Sequence, residues 1–222
     1  MTLIVMVLVF GTSLCAFARG DSGHFGSFAI GGFYGLASVS PSDVNGLANA
    51  VGSSPPLGGV NSDLYYGGLL EFTTSQHIDL KFEYDFHDAK DLTTTNLNSN
   101  TGFEIQENDV WGILDFYLVR NSSVYAYLGA GVGYPTAVTM NKTTSSLTQY
   151  TAARNLGYVG EGGIGVMLGG HLSLFFEGGY QYLISGNITQ NSSGAILTNT
   201  AGQNAVINMS GPRANAGLKL HF

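Results

Sequence analysis

The sequence predicts an all-β fold, an eight-stranded antiparallel up-and-down transmembrane β-barrel. Three observations predict it. Apolar and polar residues alternate with period two in eight separate segments, the signature of strands with one apolar and one polar face. The connections between those segments alternate between tight turns and long polar stretches. Only 10% of the 222 residues are Asp, Glu, Lys or Arg, while Gly reaches 32 and Tyr and Phe reach 12 and 13; an ordinary soluble domain carries about 25% charged residues. Beyond the N-terminal stretch, no window reaches the length of about 18 apolar residues that a membrane-crossing helix requires.

In chain order, Leu3 to Leu14 form an apolar run followed by the small-x-small triplet Ala16-Phe17-Ala18 and the polar stretch Arg19 to Ser22. This is the layout of a secretory signal peptide over residues 1–18, shorter than the span of about 20 residues that a transmembrane helix needs. No Lys or Arg precedes the run, and cleavage after Ala18 removes Cys15, the chain's single cysteine. The barrel domain is then 19–222. Its first strand is expected over 25–38, followed by a long connection (39–62) with an amphipathic turn from Asp43 to Val51 and then Pro55-Pro56. A second strand (63–74) turns through Ser75-Gln76-His77 into a third (78–87). There Ile78, Leu80, Phe82, Tyr84 and Phe86 alternate with Asp79, Lys81, Glu83, Asp85 and His87. After a long connection at 88–106 come a fourth strand (107–119), the turn Arg120-Asn121-Ser122-Ser123 and a fifth strand (124–138). The connection 139–154 leads to a sixth strand (155–168), the turn Gly169-Gly170-His171 and a seventh strand (172–185). The last connection, 186–211, has no charged residue and is rich in Asn, Ser, Thr, Gly and Ala; it reads either as a hydrophilic cover or as a binding surface. The eighth strand alternates Ala214, Ala216, Leu218, Leu220 and Phe222 with Arg213, Asn215, Gly217, Lys219 and His221.

A soluble eight-stranded barrel shares this alternation, and the heights of the aromatic residues separate the two. With the short turns at the bottom, the outward aromatics gather near the top at Tyr34, Tyr66, Tyr84, Phe86, Tyr134, Tyr158, Tyr180 and Tyr182. Near the bottom stand Phe28, Phe72, Phe116, Phe176 and Phe222. Two such girdles mark the two faces of a bilayer. A one-residue slip of the third strand would turn Asp79, Lys81, Glu83 and Asp85 toward lipid, at a cost on the order of 5–10 kcal/mol.

The inward face then carries the acids Glu71, Asp79, Glu83, Asp85, Asp109, Asp115, Glu161 and Glu177 against the bases Lys81, Arg213 and Lys219. An eight-stranded barrel is only wide enough for side chains to fill, so these residues form a polar plug; the alternative is a narrow cation-preferring water path. The inward glycines Gly67, Gly129, Gly131, Gly133, Gly163 and Gly165 leave space for water or for larger neighbours. If the turn between the second and third strands centres on Gln76, Glu71 opposes Lys81 and Thr73 opposes Asp79, which predicts a Glu71–Lys81 salt bridge and makes Lys81 a central counter-charge.

Other motifs carry little. Gly160-Glu161-Gly162-Gly163-Ile164-Gly165 matches the dinucleotide fingerprint, but it lies inside an alternating segment with no helix to receive a phosphate. Of five histidines, His77 and His171 fall in turns, His87 and His221 face inward and His24 precedes the barrel; none forms a metal or hydrolase motif. Asn121, Asn141, Asn187, Asn191 and Asn208 begin Asn-x-Ser/Thr triplets, read as chance in polar loops. A net charge of −7 with 8 Lys+Arg gives no footprint for nucleic acid. No cofactor, metal or catalytic residue is expected.

The leader, the eight strands, the three short turns, the four long loops and the terminal Leu218-Lys219-Leu220-His221-Phe222 together resemble the small outer-membrane barrels. These are the opacity proteins, OmpX and the membrane domain of OmpA. The resemblance covers 19–222 and implies a Gram-negative outer-membrane location, with loops extracellular and termini periplasmic. It also implies surroundings of outer-membrane lipid and lipopolysaccharide, a monomer, and an unidentified extracellular ligand for the loops. Leu218, Leu220 and Phe222 are similar to the signal by which the barrel-assembly machinery recognises this family. The chain stops at Phe222, so the peptidoglycan-binding role of OmpA is not carried over. The implied function is structural and adhesive, opacity-like rather than enzymatic, with a small cation channel as the alternative. A third reading is a lipid A-modifying enzyme, for which His87 with Asp85 and Asp88 is the candidate, and no serine is tied to them.

Overall fold

The computed structural model describes residues 28–38, 43, 62–91, 95–96, 99–100, 102–143 and 147–222. The leader expected over 1–18, His24 and most of the first long connection lie outside the described residues. Among those described, eight strands close into one antiparallel barrel: β1 (Phe28–Ser38), β2 (Ser62–Thr73), β3 (Ile78–Asp91), β6 (Gly102–Arg120), β7 (Val124–Thr143), β9 (Gly157–Met167), β10 (Leu172–Tyr182) and β13 (Gly211–His221). Each pairs with the next, β7 pairs directly with β9, and β1 pairs with β13 to seal the wall. Closure leaves no unpaired edge in the wall, which an apolar solvent demands of every backbone amide. The chain ends meet at this seam, where the Phe222 amide donates to the Phe28 carbonyl (2.8 Å) and their rings stack 5.7 Å apart.

Burial alternates along the strands as the sequence predicts. In β3, Asp79, Lys81, Glu83, Asp85 and His87 are buried, while Ile78, Phe82 and Tyr84 are exposed on the outer wall. A lumen of charges inside apolar staves inverts a soluble core, and it follows from lipid outside and narrow polar packing within.

Two bulges reset this alternation. In β6 an extra residue between the Tyr117 and Val119 pairings leaves Leu118 and Val119 both exposed and turns Arg120 back toward the lumen. Arg120 is therefore a strand and lumen residue, where the sequence reading placed it in the turn. In β7 the extra residue is Thr136, next to Pro135, whose missing N–H suits such a site, and Thr136 donates its hydroxyl to the Asn108 carbonyl (3.0 Å). The tight turns lie close to their predicted positions. In one of them the Asn121 side chain accepts the Ser123 and Val124 amides, both at 2.9 Å, a structural use for the first of the Asn-x-Ser/Thr triplets.

The described parts of the long connections carry more regular structure than their composition suggests. β6 and β7 have 19 and 20 residues, whereas a tilted strand crosses a bilayer in about 9–11 residues. Their upper halves continue past the girdle as a sheet with β8 (Leu147–Ala152), β11 (Ile184–Gln190) and β12 (Val206–Asn208). A separate two-stranded piece, β4 (Thr95–Asn96) with β5 (Ser99–Asn100), lies in the second connection.

Candidate functional site: the filled lumen and the loop cap

All eleven residues assigned to the lumen from sequence are buried. At mid-height the Lys81 ammonium bonds Glu161 and Glu177 (2.7 Å) and lies 3.5 Å from Glu83 and 3.8 Å from Asp115. Arg213 reaches across from β13 to Glu83, to Asp85 (3.1 Å) and to Glu161 (3.3 Å). Below, Lys219 bonds Glu71 (2.6 Å), whose other oxygen accepts the Tyr117 hydroxyl (2.9 Å). At the lower rim Arg120 grips Asp79 with both terminal nitrogens (3.0 and 2.5 Å) and lies 4.0 Å over the Tyr117 ring.

The predicted register holds, with Glu71 opposite Lys81 and Thr73 opposite Asp79. The predicted Glu71–Lys81 salt bridge does not form: Glu71 pairs with Lys219, and Lys81 turns to Glu161 and Glu177 on β9 and β10. In a lumen this narrow a long side chain reaches partners across the barrel before it folds back on its wall neighbour. The place of Lys81 as a central counter-charge is kept by different partners.

The plug is also less polar than predicted. Among the described residues, seven aromatic side chains point inward: Phe33, Tyr65, Trp111, Tyr117, Tyr125, Tyr127 and Phe175. The inward glycines make room for them and for other side chains. A Cβ on Gly165 would stand 2.0 Å from the Tyr125 ring, on Gly163 2.3 Å from Tyr127, on Gly133 2.2 Å from Trp111 and on Gly67 2.4 Å from Phe33. Gly129 and Gly131 accommodate Asp115 and Ile113 in the same way. Lys219 lies 4.8 Å from the Phe175 ring centre and 5.1 Å from that of Tyr127, so the rings also receive charge.

Sequence reasoning missed three lumenal charges, Asp63, Glu107 and Arg120. Asp63 and Glu107 stand at the first positions of their predicted strands, where loop and strand cannot be told apart by alternation. His87 was read as inward, beside Asp85 and Asp88; its Nδ1 is hydrogen-bonded to Asp63. Arg120 was hidden by the bulge. The fingerprint-like glycine run lies wholly within β9, in accord with its rejection as a phosphate loop.

Above the ions the interior becomes apolar. Leu183, Ile188, Ala205, Ile207 and Met209 are buried with Ile105, Val138, Tyr150 and Ala152. The uncharged fourth connection folds over this cluster. The Ile188 amide donates to the Ala205 carbonyl (3.1 Å), and the Leu197 amide to the Ile188 carbonyl (2.8 Å). Gly194 and Gly202, at φ of 70° and 75°, make its two outer turns. Asp43, from the first connection, accepts the Asn199 side-chain amide (3.2 Å) and the Val206 backbone amide (3.1 Å). The cap shows solvent Asn191, Ser192, Ser193, Thr198, Thr200 and Ile196.

On the outer wall Tyr34, Tyr66, Tyr84, Tyr134, Tyr158, Tyr180, Tyr182, Phe116, Phe176 and Phe222 are exposed. Phe86 is half-buried beside Tyr66, and Phe72 is covered by Phe28 and Phe82, with ring centres 5.5 and 6.2 Å away.

No protein-family model matches the chain, and no curated protein matches it in sequence. Solved structures match it in fold. The outer membrane protein OprG from Pseudomonas aeruginosa is 16% identical with a TM-score of 0.56, over 90% of this chain and 98% of that one. Neisserial surface protein A is 16% identical with a TM-score of 0.51, over 88% and 97%. Ail of Yersinia pestis, in complex with the heparin analogue sucrose octasulfate, is 10% identical with a TM-score of 0.52, over 89% and 99%. At these identities the likeness is one of fold. The chain has the fold of the small eight-stranded outer-membrane β-barrels.

Proposed function

We propose that the protein is an outer-membrane barrel whose lumen is a structural plug and whose extracellular connections carry a surface-interaction, adhesin-like function. In this reading the girdles sit at the two interfaces, the short turns and both termini face the periplasm, and the barrel is a monomer. The observation that carries it is the filled interior: charged side chains from β2, β3, β6, β9, β10 and β13 interlock at mid-height, and a folded apolar cap closes the space above them. A barrel sealed in this way has its work left at the loops, where a rigid scaffold presents side chains to partners. Ail, an attachment protein by its name, has this fold and holds a sulfated saccharide analogue. The acid excess in the lumen favours a cation path as the second reading; among the described residues His87, the candidate for a lipid A enzyme, is hydrogen-bonded to Asp63 rather than to a serine.

The experiment compares proteoliposomes carrying the intact barrel with those carrying a barrel in which residues 191–204 are replaced by a short Gly-Ser link. Both are applied to arrayed extracellular-matrix proteins and glycans. Binding by the intact barrel that the trimmed barrel loses supports the reading. Equal behaviour of the two on every probe contradicts a role for this cap.

A further inference from the structure

The plug is supplied with cations at mid-height and below, and scarcely above. Asp63, Asp85, Glu107 and Asp109 are all at most 1% exposed. Among the described residues, the only permanent cation within salt-bridge distance of any of them is Arg213, at Asp85, and it also serves Glu83 and Glu161. The register crowds these acids, since Asp85 on β3 directly opposes Asp109 on β6. Like charges at such opposed positions repel. The other opposed acid pair, Asp79 with Asp115, is served by Arg120 and Lys81. Among the described residues, no donor reaches either oxygen of Asp109 or Oε2 of Glu107.

His87 stands in the middle of this group. Its Nδ1 is hydrogen-bonded to Asp63, while Nε2 lies 3.4 Å from Asp109 and 3.9 Å from Asp85. Tyr65 stacks on the imidazole with ring centres 4.9 Å apart, and Glu107 opposes His87 across β3 and β6. The neighbouring strands add no further charge. Pro135 of β7 opposes Asp109, Ala37 of β1 stands between Asp63 and Arg213, and β10 brings the neutral Gln181. Four carboxyl groups therefore face at most two positive charges, and one of those is shared with the ionic centre below. A carboxylate closed off from water without a counter-charge takes up a proton instead. The short approach of Nε2 to Asp109 gives one such proton a place between the two.

We infer that the upper lumen is a proton-dependent seal, in which His87, Glu107 and Asp109 close the plug while they hold protons and open it to cations when alkaline surroundings remove them. The inference rests on the plug reading above and adds its regulation. Loss of the protons turns the ring into repelling carboxylates on β3 and β6, directly beneath the apolar cluster that Ile105 of β6 joins. The path so opened is lined by acids and therefore selects cations. The sealed barrel binds more protons than the unfolded chain, so the stability it draws from this ring falls as pH rises. The mid-height centre lacks this response, because there the Lys81 ammonium and the Arg213 guanidinium already stand among the acids.

The test records the intact barrel in planar bilayers across a pH series in potassium chloride, beside the double variant Glu107→Gln with Asp109→Asn. The amides keep the shape of the protonated acids and cannot ionise; heat-modifiable gel migration checks that both barrels fold. The wild type should be quiet in mildly acidic and neutral buffer and give cation-selective steps in alkaline buffer. Its open fraction should rise by up to about 10-fold per pH unit for each proton released. The double variant should stay quiet throughout. Urea titration in detergent gives a second reading that needs no channel. The two midpoints should coincide in mildly acidic buffer, and that of the wild type should fall below the other as pH rises. A wild type that conducts equally at every pH overturns the plug reading and this inference with it. One that stays quiet at every pH leaves the plug standing and overturns the inference alone. So does a double variant that opens with the wild-type pH profile, or a pair of midpoints that never diverge.

Discussion

Lys81 sits among four buried carboxylates drawn from three other strands and its own, so its removal takes a counter-charge from all of them at once, with Arg213 left to serve only Glu83 and Glu161 of the four. Truncating one partner of a buried pair costs about 3–5 kcal/mol, chiefly because the remaining charge is left without compensation. Lys81→Ala should lower the stability of the refolded barrel by at least that amount, read as a fall in the urea midpoint in detergent. Arg120 makes a bidentate grip on Asp79 at the half-open lower rim, where water can replace part of what is lost. Arg120→Ala should therefore cost less, about 1–3 kcal/mol. A larger loss for Arg120 than for Lys81 would contradict the placing of the ionic centre at mid-height.

At the scale of the strand, glycine has two distinct uses on alternate faces of β9. Gly165 faces inward against Tyr125, while Gly160 faces out with nothing within 4 Å of an added Cβ. Gly165→Ala should destabilise by about 1–3 kcal/mol through overpacking, whereas Gly160→Ala should be neutral or stabilise by up to about 1 kcal/mol. Parallel urea titrations of the two variants check the contrast. The staves themselves were legible in the sequence, because lipid on one side and ions on the other write a period of two that Ile78 to His87 shows without interruption. What alternation could not convey lies where it is reset or diluted. The bulge at Leu118 moved Arg120 from turn to lumen. The sparse apolar positions Ile188, Ile207 and Met209 among Asn, Ser and Thr gave no strand period, yet they anchor the cap. Register fixed the wall neighbours of Glu71 and Lys81, but partners across the lumen depend on barrel closure and side-chain reach, which a pairing rule does not contain.

At the scale of the whole molecule, the seam between β1 and β13 brings Phe222 against Phe28 at the lower rim, where the outward row Leu218, Leu220, Phe222 ends. If that row is the insertion signal, Phe222→Ser should be secreted yet fail to accumulate in the outer membrane. Cell fractionation and heat-modifiable migration follow this, and normal outer-membrane levels would refute the assignment. The central claim is that the lumen is closed by its own side chains, and conductance measures it most directly. The wild-type barrel, reconstituted in a planar bilayer with its loops intact, should give a quiet baseline with no discrete steps in potassium chloride. Steady cation-selective steps from the same preparation would contradict the plug and make the acid-rich interior a conducting path.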